Sequence, residues 1–138
     1  MKGKSINEIE IGDTAYQRNH ITINNADAYA KITGDCNPIH FDTEEAKSSR
    51  YGAPIAHGMI LAGFISGVIG SKLPGAGCIY ESQKMHFMRP VYYGDVITTI
   101  VRVKEMNKER NRITLDTICK NKNNEIVLTG EAIVLPRK

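Results

Sequence analysis

The chain has 138 residues, 41% hydrophobic and 24% charged, with a formal net charge of +3. That length serves one core of ordinary size, and the composition excludes a disordered or fibrous protein. The positive charge is scattered, because Glu105 and Glu109 interrupt the Lys and Arg residues at 102–112. No basic stripe with interleaved aromatics forms, so nucleic acid is not expected as a partner.

Three widely spaced cysteines, Cys36, Cys78 and Cys119, make no CxxC pair, and Met1-Lys2-Gly3-Lys4-Ser5 lacks the apolar core of a signal peptide. A cytoplasmic location is the expectation. The longest apolar run, Met59 to Ile69, is too short to span a bilayer, so no membrane partner is expected. With no internal repeats or linkers, residues 1–138 are expected to form a single domain.

In chain order, Ile6 to Gly12 ends in a Gly12-Asp13 turn that leads into a short strand through Tyr16 and Ile21. Thr22 is a plausible N-cap with Asn25 at the third helical position, and Gly34 stands where a left-handed C-terminal cap belongs. Glu44 to Ser49 suggests one helical turn, broken by Tyr51-Gly52-Ala53-Pro54. From Gly58 to Gly70 the pattern is apolar all round with small residues at 58, 62, 63, 66, 67 and 70, which predicts a helix buried on every side. Ala28, Ala62, Met59, Met85 and Met88 read as core filling. The remainder, Ile79–Arg89, Asp95–Met106, Arg112–Lys120 and Glu125–Leu135, consists of strand-length runs separated by short polar turns, which predicts antiparallel neighbours. Pro90 should mark a break. An α+β architecture follows, with an antiparallel sheet wrapped around a long central helix.

The chemistry concentrates in Gly34-Asp35-Cys36-Asn37-Pro38-Ile39-His40. It sets a carboxylate and an imidazole five positions apart across a rigid Asn-Pro corner. Both are side chains suited to proton transfer near neutral pH, and together they could share one water. The alternative is an Asx turn in which Asp35 caps backbone N–H groups and His40 merely packs. His20 and His86 carry no partner signal, and Cys36 has no activating base beyond its proximity to His40.

Gly34-Asp35-x-Asn37-Pro38-Ile39-His40-x-Asp42, followed by Ala56-His57-Gly58-Met59, resembles the MaoC-like (R)-specific enoyl-CoA hydratases, and in particular the short members that supply polyhydroxyalkanoate synthesis. Leu73-Pro74-Gly75-x-Gly77-x-Ile79-Tyr80 and Phe87-x-x-Pro90-Val91-x-x-Gly94-Asp95 extend the likeness over residues 6–136. The resemblance implies a hot-dog fold, a homodimer, and reversible syn addition of water to a (2E)-enoyl-CoA to give a (3R)-3-hydroxyacyl-CoA. It implies an acyl-CoA substrate and no metal or other cofactor. Asp35 and His40 match the family's catalytic pair. Gly58, opening the buried helix, would present a free N–H to the thioester oxygen. Asn37 would brace the corner, His57 would order the loop, and Ser66 and Ile69 would border the acyl chain.

Three other readings share parts of this pattern. A hot-dog thioesterase usually carries its carboxylate on or beside the central helix, and residues 58–70 contain none. An acyl-carrier-protein dehydratase pairs its histidine and carboxylate without an Asp-x-Asn-Pro-x-His corner. A non-catalytic acyl-CoA binding module would have no use for the pair.

Overall fold

The computed structural model describes residues 2–138. A 3-10 turn at Ile6–Glu8 precedes β1 (Thr14–His20), α1 (Ile23–Thr33), a second 3-10 turn at Pro38–His40, α2 (Glu44–Ser48) and α3 (Met59–Ser71). The strands β2 (Ile79–Phe87), β3 (Val96–Asn107), β4 (Arg112–Lys120) and β5 (Ile126–Leu135) follow. All five strands form one antiparallel sheet in the order β1-β3-β4-β5-β2.

Strict alternation sets the sheet's inner face. In β4, Ile113, Leu115, Thr117 and Cys119 are buried, and they meet Val101, Val103 and Thr99 of β3 and Leu128, Ala132 and Val134 of β5. A period of two sends these side chains to one side. There α3 contributes Leu61, Ile65, Val68 and Ile69, all essentially inaccessible. The core therefore lies between one curved sheet and one helix, the hot-dog arrangement. No helix among the described residues is long and apolar enough to cross a membrane.

The prediction that α3 is buried on every side is corrected. Met59 is 50% exposed, and Gly63, Ser66 and Gly70, which follow it at helical spacing, are exposed as well. One stripe of the helix faces outward, and its small residues made the sequence look uniformly internal. Ala28 and Met88 are likewise exposed rather than core.

The turns obey local chemistry. Asn25 Oδ1 accepts the Thr22 N–H at 2.7 Å, which closes the start of α1. Gly34, at φ 79°, sends its N–H back to the Ala30 carbonyl at 2.8 Å. The helix therefore stops where the Asp35 corner begins.

Candidate active site

Past the end of α1 the backbone makes two consecutive Asx turns. Asp35 Oδ1 accepts the Asn37 N–H and Asn37 Oδ1 accepts the Ile39 N–H, both at 3.2 Å. The Asx-turn reading of the sequence is thus realised in the backbone. It occupies only one oxygen of an exposed carboxylate, so it leaves Asp35 open to further chemistry. Asn37, itself exposed, braces the corner through its side chain and caps the Pro38–His40 turn.

His40 is held from three directions. Its Nδ1 lies 2.9 Å from the Ile55 carbonyl oxygen. A carbonyl can only accept, so Nδ1 carries the proton and Nε2 is the nitrogen left to work. The Tyr93 hydroxyl donates to the His40 carbonyl at 2.7 Å and to the Ile55 carbonyl at 3.3 Å. Ile55 N–H donates to the Ile39 carbonyl at 3.1 Å. Burial pushes the Tyr93 phenol up to about 12, with a further push from the Asp27 charge, so it remains a donor at neutral pH.

His57 sits behind both members of the pair. It is 2% exposed, and its Nε2 lies 3.0 Å from the Asp35 backbone carbonyl. Its ring stacks on His40, with centroids 3.9 Å apart and planes tilted by 30°, and packs against Tyr29 at 4.6 Å. Phe41 meets it edge-on at 6.0 Å. One ligand-type atom from each of Asp35, His40 and His57 lies within 4.8 Å of the others. This trio is nonetheless a poor cation cage. Stacked imidazoles direct their in-plane lone pairs side by side rather than to a point, and His57 Nε2 is already committed to a carbonyl.

Gly58 is the N-cap of α3, and the first intrahelical bonds run from Ile60 and Leu61 back to the carbonyls of His57 and Gly58. The N–H groups of Gly58 and Met59 come before that ladder and lie at the positive end of the helix dipole. A Cβ at position 58 would stand 3.0 and 3.1 Å from two atoms of the Phe87 ring. A cavity of about 210 Å³ has His40, Gly58, Leu61, Phe87 and Pro90 in its walls, together with Arg50 and Arg89.

The site residues expected from sequence thus fall into two groups. Asp35, Asn37, His40, His57 and Gly58 come together at one end of α3. Ser66 and Ile69 do not join them: Ser66 is on the exposed stripe of α3, and Ile69 is sealed in the core at 1% exposure. Tyr93 and Phe87 escaped the sequence reading. Tyr93 meets His40 across 53 positions of chain, and nothing local to Tyr92-Tyr93-Gly94 signals that contact.

Comparison with known proteins places this geometry. Residues 7–125 match the model of the MaoC like domain. The 3-hydroxybutyryl-CoA dehydratase of Methylorubrum extorquens is 41% identical over 95% of this chain and 83% of its own length. The (R)-specific enoyl-CoA hydratase of Aeromonas caviae is 35% identical over 94% of this chain and 97% of its own. An R-hydratase of Pseudomonas aeruginosa, solved in its unliganded form, superposes with a TM-score of 0.93 at 32% identity, covering 99% of this chain and 87% of that one. The chain belongs to the MaoC-like domain family.

Proposed function

We propose that this protein is an (R)-specific enoyl-CoA hydratase, adding water reversibly across the double bond of a (2E)-enoyl-CoA to give the (3R)-3-hydroxyacyl-CoA. The observation that carries the reading is that His40, with its proton fixed on Nδ1, and the N-terminus of α3 at Gly58 line one cavity, with the Asp35 carboxylate beside His40.

Hydration adds one hydroxyl and one proton through two proton transfers. The water oxygen bonds to Cβ, one of its protons passes to the Asp35/His40 pair, and the pair delivers a proton to Cα. Free Nε2 of His40 and the exposed carboxylate of Asp35 hold the water between them. Charge that builds on the thioester oxygen meets the N–H groups at the start of α3, where one such donor is typically worth ~10²–10³-fold in rate. Tyr93 and Ile55 keep the His40 ring in position.

A thioesterase has less support, because α3 carries no carboxylate to attack or activate water at the thioester carbon. The test is the loss of enoyl-thioester absorbance on adding the protein to crotonyl-CoA, with chiral analysis of the product. Formation of the 3R alcohol supports the hydratase. Release of free CoA from a saturated acyl-CoA would replace it with the thioesterase.

The working form we propose is a cytoplasmic homodimer of one hot-dog domain per chain. In the sheet, β1 and β2 each have a strand partner on one side alone, and Ile79, Phe87 and Met88 along and just beyond β2 are more than half exposed. A second copy covering this edge and the outward stripe of α3 removes both liabilities. Ser66 would then face the space between copies, where an acyl chain could run, while Ile69 supports the helix from inside.

A further inference from the structure

Nδ1 of His57 is sealed from solvent and has no hydrogen-bond partner among the described residues. Its ring already has close aromatic contacts, so a phenylalanine would fill the same space without leaving a polar atom unmatched. A buried polar atom without a partner lowers stability, and such groups call for an explanation beyond packing. The other nitrogen supplies one: Nε2 donates to the carbonyl of Asp35, while the ring face stacks on His40. No other side chain in the site is seen to engage both members of the pair.

We infer that His57 is a positioning residue that sets the distance and angle between the Asp35 carboxylate and the His40 ring, at the expense of stability. This rests on the hydratase reading for its effect on rate, but not for the contacts themselves. Asp35 lies on an exposed corner, its N–H held by Thr33 Oγ1 at 3.2 Å and the far side of the corner held by Thr43 Oγ1 on the Pro38 carbonyl at 2.8 Å; the Nε2–H bond of His57 fixes the Asp35 carbonyl between them. Across the stack, the plane of His57 restricts rotation of the His40 ring about its Nδ1–H bond to Ile55, so that Nε2 keeps its aim. His57 takes no proton from the substrate and gives none, because its free nitrogen is buried and its other nitrogen is engaged with a backbone carbonyl.

The experiment compares wild type, His57→Phe and His57→Gln. With crotonyl-CoA, His57→Phe is expected to lower kcat by about 10–100-fold, the scale of a small misplacement of reacting groups, while KM stays within about twofold. Its melting temperature should match or exceed that of wild type. His57→Gln, which returns an N–H to the Asp35 carbonyl, should recover part of kcat. Both variants should keep every limb of the wild-type pH profile. A His57→Phe enzyme with full kcat would overturn the proposal, as would a loss of kcat that merely follows a fall in melting temperature. Loss of one limb of the pH profile would also overturn it, by making His57 a proton-transfer group.

Imidazole nitrogen NMR supplies a readout independent of turnover. Wild type should show His57 as the Nε2–H tautomer, and His57→Phe should shift the His40 ring resonances. An unchanged His40 spectrum sinks the proposal even in an active enzyme. Conversely, a wild type that hydrates no enoyl thioester removes the hydratase reading, and the NMR result then decides the positioning role alone.

Discussion

The Tyr93 hydroxyl and the His40 carbonyl are 2.7 Å apart, and the same hydroxyl reaches the Ile55 carbonyl that receives the His40 Nδ1 proton. One phenol from the loop before β3 thus tethers both the backbone of the histidine and the group that orients its ring. Tyr93→Phe removes this tether with little change in volume. The expected outcome is a stability loss of about 1 kcal/mol, the usual net worth of such a bond, together with a several-fold drop in kcat, on the order expected of slight misplacement. Urea denaturation and steady-state kinetics on one preparation check both. Unchanged kinetics would show that His40 keeps its orientation without the Tyr93 hydroxyl.

Asp35→Asn and His40→Ala should each lower kcat by ~10²–10⁴-fold, the usual contribution of a proton-transfer group. If the two act on one water as proposed, the double variant should be scarcely worse than the worse single. Asp35 is exposed and Asn can make the same turn bond, so Asp35→Asn should melt within a degree or two of wild type, as surface changes usually do. A double variant whose losses multiply would mean that the residues act in separate steps.

Gly58→Ala tests the mouth of α3. The new methyl would meet Phe87 at 3.0 Å, and since that ring is half exposed it can swing aside. Phe87 lines the cavity, so a displaced ring would narrow it and kcat/KM should fall by more than tenfold, approaching the effect of losing an oxyanion donor at ~10²–10³-fold. Adding Phe87→Ala should restore part of the activity. No recovery in the double variant would locate the damage in the helix N–H groups themselves.

High pH should unfold the protein through its buried acids. Burial raises Tyr80 and Tyr93 from an ordinary value of 10.0 up to about 12, and Cys119 from 9.0 up to about 11. Below about pH 8 these groups are neutral in the folded and unfolded chains alike, so their titration takes nothing from stability. Between about pH 8 and about 12 the unfolded chain releases protons that the folded chain keeps, so stability falls as pH rises. Urea midpoints measured from pH 8 to 11.5 should decline, and less steeply in Cys119→Ala. A flat profile would count against burial of these groups. In the same folded protein Cys36, which is exposed, should react quickly with a thiol reagent while Cys119 stays protected.

What could be read in advance divides along the reach of the physics involved. Thr22, Asn25 and Gly34 were legible as caps because their bonds close within four residues. The strands fall within two residues of their expected ends because alternation is a local pattern. That Asp35 and His40 lie close together was legible for the same reason: both belong to one short rigid corner. Tyr93 was not, since only the fold of the sheet brings it to His40. Nor was the outward stripe of α3, because glycine and serine suit a close-packed interior as well as an uncovered flank. Composition alone cannot separate the two. Ile69 shows the converse, a residue expected beside the acyl chain that helix periodicity turns into the core.

The bond from His40 Nδ1 to the Ile55 carbonyl leaves the histidine a single nitrogen through which hydrogens can come and go. Any hydrogen taken up there must depart from the same atom. If the proposed Asp35/His40 pair removes a labelled hydrogen from Cα through that nitrogen in the dehydration direction, the label would not be lost at once to bulk solvent. Part of it would leave in the departing water and part would return to carbon before exchange. On that proposal, the partition of the label would record how long Nε2 holds a hydrogen before its neighbourhood lets it go, a clock for the traffic between carbon and water.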